Sequence, residues 1–351
     1  MVIHLITRLP TGGATQLVFD ITKRMRESGE DVLILTGVSE ATSLSAANNR
    51  ILEDVRAAGI PVTVVPHLQH SISLFNDARA LAWLCAELRK HRDAVVHIHS
   101  SKAGILGRIA CRVVGVKRVV FHVHGWSFSR SQGLARTLQY QLERAFYPIT
   151  AAYVFVCQAD MLEFVRMGGN PGISAKSRVI YPGTAFLTEA ERRTHRLEIR
   201  ARLGYGEDDF VVGSIGRLDY QKNPQAFVAI AKIYADMDRT ARFLWVGEGS
   251  DRDEVEALIR RAGLSDRFSL AGFVVDAEPY NAVFDAFVLT SRYEGLPLSV
   301  VKALSCAMPV VGFLVNGMND FHGRFKSVIA VASGDSGAFL KGLVAARTMI
   351  Q

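Results

Sequence analysis

Two cations flank a short loop in the second half of the chain and form a candidate site for an anionic ligand. Residues 216–224 follow an apolar run and carry Arg217 and Lys222. Asn223 is a good helix N-cap and Pro224 is tolerated at the first helical position, so a helix is predicted to begin there. A helix dipole, backbone N–H groups and two cations together favour a diphosphate. The alternative is a pair of solvated cations beside a loop.

A carboxylate precedes another predicted helix, in residues 291–299. Glu294 can accept hydrogen bonds from sugar hydroxyls, and Gly295 permits an unusual backbone angle or the close approach of a ligand. The N–H groups of the opening helical turn can meet phosphate oxygens. A glutamate that is simply favoured by the helix dipole is the alternative.

Two glycine-containing loops exclude several nucleotide-binding classes. The loop from Gly247 to Gly249 follows an apolar run but lacks the third glycine of the dinucleotide fingerprint. Gly12 and Gly13 near the start of the chain do not satisfy that fingerprint either, and no Walker lysine follows a glycine-rich loop. A hydride-transfer enzyme is therefore disfavoured.

Length and composition predict two globular domains in a reducing compartment. The chain has 351 residues, of which 49% are hydrophobic and 21% charged. Its four cysteines show neither metal-ligand spacing nor a thiol-redox pair, which favours the cytoplasm. Residues 1–7 are interpreted as a first strand and not as a signal peptide. No apolar run approaches the roughly 20 residues that a membrane span needs.

The positive charge is concentrated in the first half. The net charge is +7, and residues 94–159 contain eight Lys or Arg but only one acidic residue, Glu143. This pattern, together with the amphipathic residues 134–147, predicts attraction to an anionic membrane surface, or the charge attracts a phosphorylated acceptor. A solvated basic face and an ordinary core helix are the alternatives. Nucleic acid is not expected, because no nucleic-acid-binding motif accompanies the charge.

Strand-like and helical patterns alternate along the chain, which predicts α/β lobes with parallel sheets covered on both faces. The predicted lobes are residues 1–185 and 186–351, separated near residues 181–183 and a polar stretch at 188–202. Two Rossmann-like lobes would face each other across a cleft, with sites at the carboxyl ends of the strands. Strands are predicted at residues 2–7, 31–36, 61–65, 94–98, 118–123, 152–156, 210–214, 241–246, 268–270, 286–289, 309–311 and 328–331. Helices are predicted at residues 16–27, 78–91, 103–114, 224–235, 252–262, 298–306 and 336–346.

Taken in order, these segments resemble family 4 glycosyltransferases of the GT-B fold, a retaining group that includes bacterial exopolysaccharide and lipopolysaccharide enzymes. The resemblance covers nearly the whole chain, and the combination is specific although each segment alone is not. The matching segments are Gly12-Gly13, His124-Gly125, residues 216–224, the Gly247 loop, Gly272-Phe273 and residues 294–309.

The resemblance implies an N-terminal acceptor lobe and a C-terminal nucleotide-sugar lobe. Arg217 and Lys222 would bind the donor diphosphate and stabilise charge as the sugar–phosphate bond breaks. Glu294 would contact sugar hydroxyls, and His124 would face the donor sugar unless it is a buried structural histidine. The other implied donor contacts are Gly12, Gly13, Gly216, Gly247, Gly272, Phe273, Gly295, Leu296, Leu298 and, with the reservation given below, Lys302.

Residues 99–104 look like a segment of exopolysaccharide and O-antigen enzymes, so His99 and Lys102 are the acceptor-side candidates. Ser100 or Ser101 is predicted to cap the following helix, and Lys102 to reach an acceptor phosphate. His97, His99 and His122 alternate with strand period, but no metal site is implied. The resemblance also implies no cofactor, no required metal, retention of configuration and a departing phosphate that accepts the acceptor's proton.

Lys302 departs from the family pattern. The family has a second glutamate eight residues after the first, where it accepts hydrogen bonds from the nucleotide ribose, whereas a lysine has donors only. A tolerated substitution, an altered donor and an impaired enzyme are the open interpretations. The predicted activity is transfer from a nucleotide-sugar, preferably UDP-linked on family frequency, to a lipid-linked or polysaccharide acceptor. The alternatives are a catalytically impaired nucleotide-sugar-binding protein and a nucleotide-sugar epimerase of the same fold.

Overall fold

The computed structural model describes residues 1–9, 13–37, 53–168, 171–184 and 186–350. The chain divides into two compact units, Met1–Pro182 and Gly183–Gln351, and each has its own parallel β-sheet. Among the described residues, no helix combines the length and the apolar character that a membrane crossing requires.

The described part of the N-terminal unit contains a seven-stranded parallel sheet in the order β3-β2-β1-β4-β5-β6-β7. Its first strands are nearly continuous apolar runs, as expected for a sheet that is covered on both faces. The strands are β1 Val2–Ile6, β2 Val32–Gly37, β3 Val62–Val65, β4 Val95–His99, β5 Arg118–Val123, β6 Ala152–Phe155 and β7 Ser177–Val179.

The helices of this unit connect successive strands. They are α1 Gly13–Glu27, α2 Leu74–Arg89, α3 Ser101–Val114, α4 Gly133–Phe146 and α5 Gln158–Arg166, with a further helical stretch at residues 53–57 and short 3-10 turns at Phe128–Arg130, Tyr147–Ile149 and Pro171–Lys176.

Two glycines let α3 approach the sheet closely. A Cβ on Gly104 would lie 2.8 Å from the Phe121 ring, and one on Gly107 would lie 2.5 Å from Leu5. This close packing fixes the N-terminus of α3 near the carboxyl edge of the sheet.

The described part of the C-terminal unit contains a six-stranded parallel sheet in the order β10-β9-β8-β11-β12-β13. The strands are β8 Phe210–Ile215, β9 Ala241–Val246, β10 Phe268–Gly272, β11 Ala286–Leu289, β12 Val310–Phe313 and β13 Val328–Val331. The helices are α6 Glu189–Leu203, α7 Pro224–Met237, α8 Arg252–Arg261, α9 Leu298–Ser305 and α10 Ser336–Thr348, with 3-10 turns at Glu278–Ala282 and Asn316–Asp320.

The polar stretch that was predicted only as a connection forms helix α6. Thr188 and Glu191 make a capping box, in which each side chain bonds the other residue's backbone N–H. Arg196 and Arg200 each donate to the Asp285 carboxylate at 2.6 Å, which ties α6 to the C-terminal unit. The helix is therefore held by its caps and ion pairs, not by an apolar stripe that a periodicity search would find.

The predicted strand–helix alternation is otherwise confirmed. Four strands have the predicted bounds, namely Arg118–Val123, Ala241–Val246, Ala286–Leu289 and Val328–Val331. Strand β7 was not predicted, because it has three residues and lies at the edge of the sheet.

Candidate active site

An ion pair joins the two predicted donor segments at the carboxyl edge of the C-terminal sheet. Lys222 follows β8 and Glu294 follows β11, and these two strands are neighbours in the sheet. The Lys222 Nζ lies 2.6 Å from Glu294 Oε1. Ser291 Oγ donates to the same oxygen at 2.8 Å, and Gln221 Nε2 donates to Oε2 at 3.2 Å. The Glu294 side chain is only 9% exposed, so these donors replace the water that it has lost.

The second predicted cation, Arg217, is more open. Its side chain is 58% exposed and lies 3.0 Å from the Asp219 carboxylate. It also donates to Gln221 Oε1 at 3.2 Å, so Gln221 links the arginine to Glu294. Arg217 and Lys222 thus belong to one hydrogen-bonded cluster.

Asn223 does not cap helix α7, so that expectation is wrong. Its backbone is left-handed, with φ 53°, and its side chain makes no capping bond. Instead, Nδ2 donates to the Thr290 carbonyl at 3.2 Å and Oδ1 accepts from Arg292 at 3.0 Å. Asn223 therefore fastens the two donor segments to each other, a role that depends on a partner 67 residues away and leaves no local signal.

Three glycines make room for the Lys222 side chain and for the backbone of residues 216–218, namely Gly216, Gly247 and Gly249. A Cβ on Gly216 would lie 3.0 Å from Lys222 Cε, so the lysine stem runs over this glycine. Gly247 has φ 137°, and a Cβ there would lie 2.0 Å from the Gly216 carbonyl oxygen. A Cβ on Gly249 would lie 2.1 Å from the Leu218 carbonyl oxygen. The Gly247 loop thus supports the backbone that carries Arg217.

Two further donor candidates lie beside this loop. Gly272 has φ 71°, and its carbonyl accepts from the Gly247 N–H at 2.9 Å. Phe273, the next residue, has a well-exposed ring. The segment Gly272-Phe273, where the resemblance implies that the nucleobase lies, is therefore in backbone contact with the Gly247 loop.

Gly295 does not adopt an unusual backbone angle, since it is absent from the positive-φ residues of the described chain. Its close approach is to Gly317, where a Cβ would lie 1.6 Å from the Gly295 carbonyl oxygen. No local pattern around Gly317 pointed to this contact, because its partner lies in another segment. Leu296 is buried, and helix α9 begins at Leu298 without a side-chain cap.

Lys302 is paired with a carboxylate. It lies on the last turn of α9, and its Nζ is 3.6 Å from Glu278 Oε2. Both side chains are partly exposed. A carboxylate therefore stands next to the position where the family pattern expects one, although another segment supplies it.

In the N-terminal unit, five histidine rings gather on one face of the central strands. Two sets of contacts connect them. His99 Nδ1 lies 3.1 Å from His124 Nε2, and His99 Nε2 lies 3.1 Å from His4 Nδ1. His97 Nδ1 lies 2.7 Å from His122 Nε2, and the rings of His99 and His122 stack. The sequence showed the alternation of three of these rings, but the contribution of His4 needs the order β1-β4-β5.

Burial keeps all five imidazoles neutral near pH 7. It lowers the pKa of His4 to about 3 and that of His97 and His124 to about 4. The pKa values of His99 and His122 are lowered well below the usual value by burial first and by neighbouring histidines second. A neutral ring has one N–H donor and one lone pair, so each ring offers both.

The predicted helix cap near the acceptor candidates is also corrected. Ser100 has φ 68° and makes no capping bond. The hydroxyl of Thr7, at the end of β1, accepts from the Ala103 N–H at 3.1 Å and bonds Ser100 Oγ at 2.7 Å. The cap thus comes from a distant strand that the spacing around Ser100 could not reveal.

Lys102 is engaged within its own unit. Its Nζ lies 2.5 Å from Asp77 Oδ1 and also donates to the Ser71 carbonyl, and its side chain is largely buried. Gly13 is the exposed first residue of α1, whereas Gly12 lies outside the described residues.

Comparison with known proteins identifies the family. Residues 12–183 match the model of the glycosyl transferase 4-like domain, and residues 209–347 match that of glycosyl transferases group 1. The UDP-Gal:alpha-D-GlcNAc-diphosphoundecaprenol alpha-1,3-galactosyltransferase of Escherichia coli is 30% identical over 285 residues, which are 80% of this chain and 73% of the relative. The putative glycosyltransferase EpsD of Bacillus subtilis is 24% identical over 70% of this chain and 65% of the relative. The chain therefore belongs to the family 4 glycosyltransferases, and it is a glycosyltransferase.

Solved structures confirm the predicted GT-B fold. The structure of HepE of Anabaena in complex with UDP matches with a TM-score of 0.79 at 21% identity. The match covers 100% of this chain and 91% of the HepE chain. Sucrose-phosphate synthase of Thermosynechococcus elongatus matches with a TM-score of 0.80 at 17% identity. The match covers 99% of this chain and 90% of the synthase chain.

Proposed function

We propose that this glycosyltransferase takes its sugar from a UDP-linked donor and transfers it, with retention of anomeric configuration, to a lipid-linked or polysaccharide acceptor. The observation that carries the proposal is the ion pair of Lys222 and Glu294, because it joins the two segments assigned to diphosphate and sugar. The Escherichia coli relative is named for a UDP-galactose donor and a diphosphoundecaprenol-linked acceptor, which supports both substrate classes.

The donor diphosphate is assigned to Lys222 and Arg217. A lysine has three N–H donors, so Lys222 keeps capacity for phosphate oxygens beyond its bond to Glu294. Arg217 is exposed and presents a fork of donors that matches phosphate geometry. Both cations would stabilise the negative charge that develops on the leaving diphosphate.

Glu294 is assigned to the donor sugar. Its Oε1 accepts from Lys222 and Ser291, while Oε2 accepts from Gln221. A carboxylate oxygen has two lone-pair sites, so Oε2 retains one for a sugar hydroxyl. The surrounding donors hold this oxygen in place before the sugar arrives.

The proposed transfer step follows the mechanism that the family resemblance implies. The bond from the anomeric carbon to the diphosphate oxygen breaks, and a bond to the acceptor oxygen forms on the same face of the sugar. The acceptor's hydroxyl proton passes to the departing phosphate oxygen. His124, neutral because burial lowers its pKa to about 4, is a hydrogen-bonding partner for the donor sugar and carries no charge into the step. No metal ion or cofactor enters this step.

A donor panel tests the proposal. Purified enzyme is mixed with UDP-, GDP- and TDP-linked sugars, and binding is followed by thermal shift. Turnover is then measured with lipid-linked diphosphate sugars and with polysaccharide fragments, and NMR of the product reports the anomeric configuration. Stabilisation and turnover with UDP-sugars and a retained anomer are expected. A preference for another base or an inverted product would contradict the corresponding part of the proposal.

Membrane association at the cytoplasmic face is proposed from helix α4. Leu134, Leu138 and Leu142 repeat every fourth residue and are 74%, 60% and 38% exposed. Tyr140 and Phe146 on the same helix are buried, so a core role explains only one of its two faces. Arg130 and Arg144 are exposed nearby, which suits an anionic lipid surface.

Vesicle sedimentation tests the membrane proposal. Binding to vesicles of zwitterionic lipid with added phosphatidylglycerol is compared for the native enzyme and the double variant Leu134→Gln, Leu138→Gln. The matched control replaces Ala135 and Ala145, both exposed on the same helix, with glutamine. Loss of binding in the leucine variant alone is expected, and equal binding by all three proteins would refute the assignment.

A further inference from the structure

Three of the clustered histidines have the arrangement of metal ligands. His99, His122 and His124 each offer a ring nitrogen, and the three nitrogens lie within 4.8 Å of one another. His99 and His122 are register partners on neighbouring strands, and His124 follows His122 by two residues. His122 lies in β5 and His124 one residue beyond its end, so these two ligands stand in the i, i+2 relation of an extended chain, with His99 beside them on β4.

We propose that His99, His122 and His124 form a binding site for a divalent transition metal of the zinc class, and that an ion bound there inhibits sugar transfer. Ligand sets made of imidazole suit Zn²⁺, Cu²⁺, Ni²⁺ and Co²⁺, whereas Mg²⁺ and Ca²⁺ prefer oxygen. Three protein ligands also leave one coordination position for water. The inhibitory half of the proposal rests on the proposed role of His124 at the donor sugar.

The distances between the three ligand nitrogens require only a small adjustment to reach tetrahedral geometry around one ion. Zinc–nitrogen bonds of about 2.0–2.1 Å place two ligand nitrogens about 3.4 Å apart. His99 Nδ1 and His124 Nε2 already stand at 3.1 Å. The widest of the three separations is at most 4.8 Å, so it must close by no more than about 1.4 Å, and the imidazole rings can turn about their side-chain bonds to close it.

The surroundings orient two of the three ligand rings. His4 contacts the other nitrogen of His99, and His97 contacts His122. Such outer partners fix ring orientation in metal sites. His4 and His97 therefore act as positioning residues for two of the three ligands.

The consequence for catalysis follows from His124. A ring nitrogen that coordinates a metal ion no longer has a lone pair or a proton for hydrogen bonding. Coordination would use the single lone pair of His124 and leave only the N–H of its other nitrogen for the donor sugar, and an ion with its own positive charge would stand beside it. Zinc is therefore an inhibitor in this proposal, not a cofactor.

Cobalt titration tests the site without any turnover. Chelator-treated enzyme is titrated with Co²⁺, whose visible absorption reports tetrahedral coordination, and Zn²⁺ is then added as a competitor. One ion per chain, displacement by Zn²⁺ and no response to Mg²⁺ are expected. His122→Phe should abolish the absorption, His97→Gln should weaken binding by about 10–100-fold, and the exposed control His322→Gln should leave it unchanged.

The variants must be folded for the test to count. Circular dichroism and thermal stabilisation by UDP serve as the check, and His97→Gln, outside the three ligands, serves if His122→Phe does not fold. Equal Co²⁺ affinity in the native enzyme and a folded variant would overturn the site. If Zn²⁺ binds, inhibition that saturates at one ion per chain and is reversed by chelator supports the proposal that the bound ion inhibits sugar transfer. Unchanged turnover with bound Zn²⁺ would overturn the inhibition and the role of His124, while the site would stand.

Discussion

The carboxyl edges of the two sheets use opposite chemistry. In the C-terminal unit the edge carries charges of both signs in contact, with Lys222 on Glu294 and Arg217 on Asp219. In the N-terminal unit the central edge carries neutral imidazoles that bond one another. Charged groups at a partly open edge can exchange a protein partner for a phosphate. Buried neutral rings instead offer directional hydrogen bonds and lone pairs.

This difference implies different costs when each edge is changed. Ion pairs with an exposed member contribute little to stability, so Arg217 can leave Asp219 for a ligand at small cost. A buried neutral donor or acceptor that loses its partner costs about 1–3 kcal/mol. Substitution of a charged side chain at the C-terminal edge should therefore affect turnover most, and substitution of a histidine at the N-terminal edge should affect stability.

The largest expected effect is that of Lys222→Ala on turnover. The change removes a cation from the leaving diphosphate and leaves the mostly buried Glu294 without its closest partner. Loss of one preorganised electrostatic contact typically lowers kcat by about 10²–10³-fold, and we expect a fall in kcat/KM of that order. Initial rates with the preferred nucleotide-sugar measure it. Lys232→Ala, at an exposed lysine on α7, is the control. A fall of less than about tenfold would remove Lys222 from the diphosphate site.

Gly247→Ala should be the most destabilising change at the charged edge. The new Cβ would lie 2.0 Å from the Gly216 carbonyl oxygen, at a φ of 137° that side chains rarely adopt. Overpacking and backbone strain together should cost about 2–4 kcal/mol of unfolding free energy. Urea denaturation measures this. Gly263→Ala has a milder positive φ of 70° and open space, so its expected loss of about 1 kcal/mol gives the cost of a left-handed backbone alone. Equal losses in the two variants would show that the contact with Gly216 is unimportant.

The sequence predicted the charged edge better than the neutral one, for a physical reason. Arg217, Lys222 and Glu294 stand directly after apolar strands, and parallel strands end at the same edge of a sheet, so spacing alone predicts their proximity. The cap of α3 by Thr7 and the bond from Asn223 to Thr290 depend on pairings between distant segments.

The fold itself was predictable where burial dominates. Apolar strands such as Ala241–Val246 and Ala286–Leu289 appear with the predicted bounds. Helix α6 could have been found from Thr188 and Glu191, since a threonine three residues before a glutamate is a capping-box signal. Strand β7 could not, because three residues carry too little pattern to stand out.

The neutral edge should respond to His99→Leu with a loss of stability. His99 is fully buried and bonds both His4 and His124, so its removal leaves two rings without that partner. We expect the free energy of unfolding to fall by about 1–3 kcal/mol. Denaturation in the presence of chelator measures it without interference from metal ions. His97→Leu, at a partly exposed ring with one such bond, should cost less. A larger loss in His97→Leu would show that the bonds of His99 are not the source of stability.

The smallest effects are expected at Lys302 and Glu278, where the chain departs from its family. Their contact at 3.6 Å is partly exposed, so Lys302→Ala should change the free energy of unfolding by less than about 1 kcal/mol.

If Glu278 supplies the carboxylate for the ribose, Glu278→Gln should weaken UDP binding by about tenfold, corresponding to about 1.4 kcal/mol for a lost charge-assisted hydrogen bond. Calorimetry with UDP and with uracil alone separates a ribose contact from a base contact. Glu254→Gln, on α8, is the control, because Glu254 is exposed and accepts a hydrogen bond from Gln225, which is not a candidate site residue. Since Lys302→Glu would restore the family's carboxylate, the double change Lys302→Glu, Glu278→Gln should recover the lost affinity. Failure to recover it would mean that the carboxylate of Glu278 and the family's second glutamate do not serve the same hydroxyls.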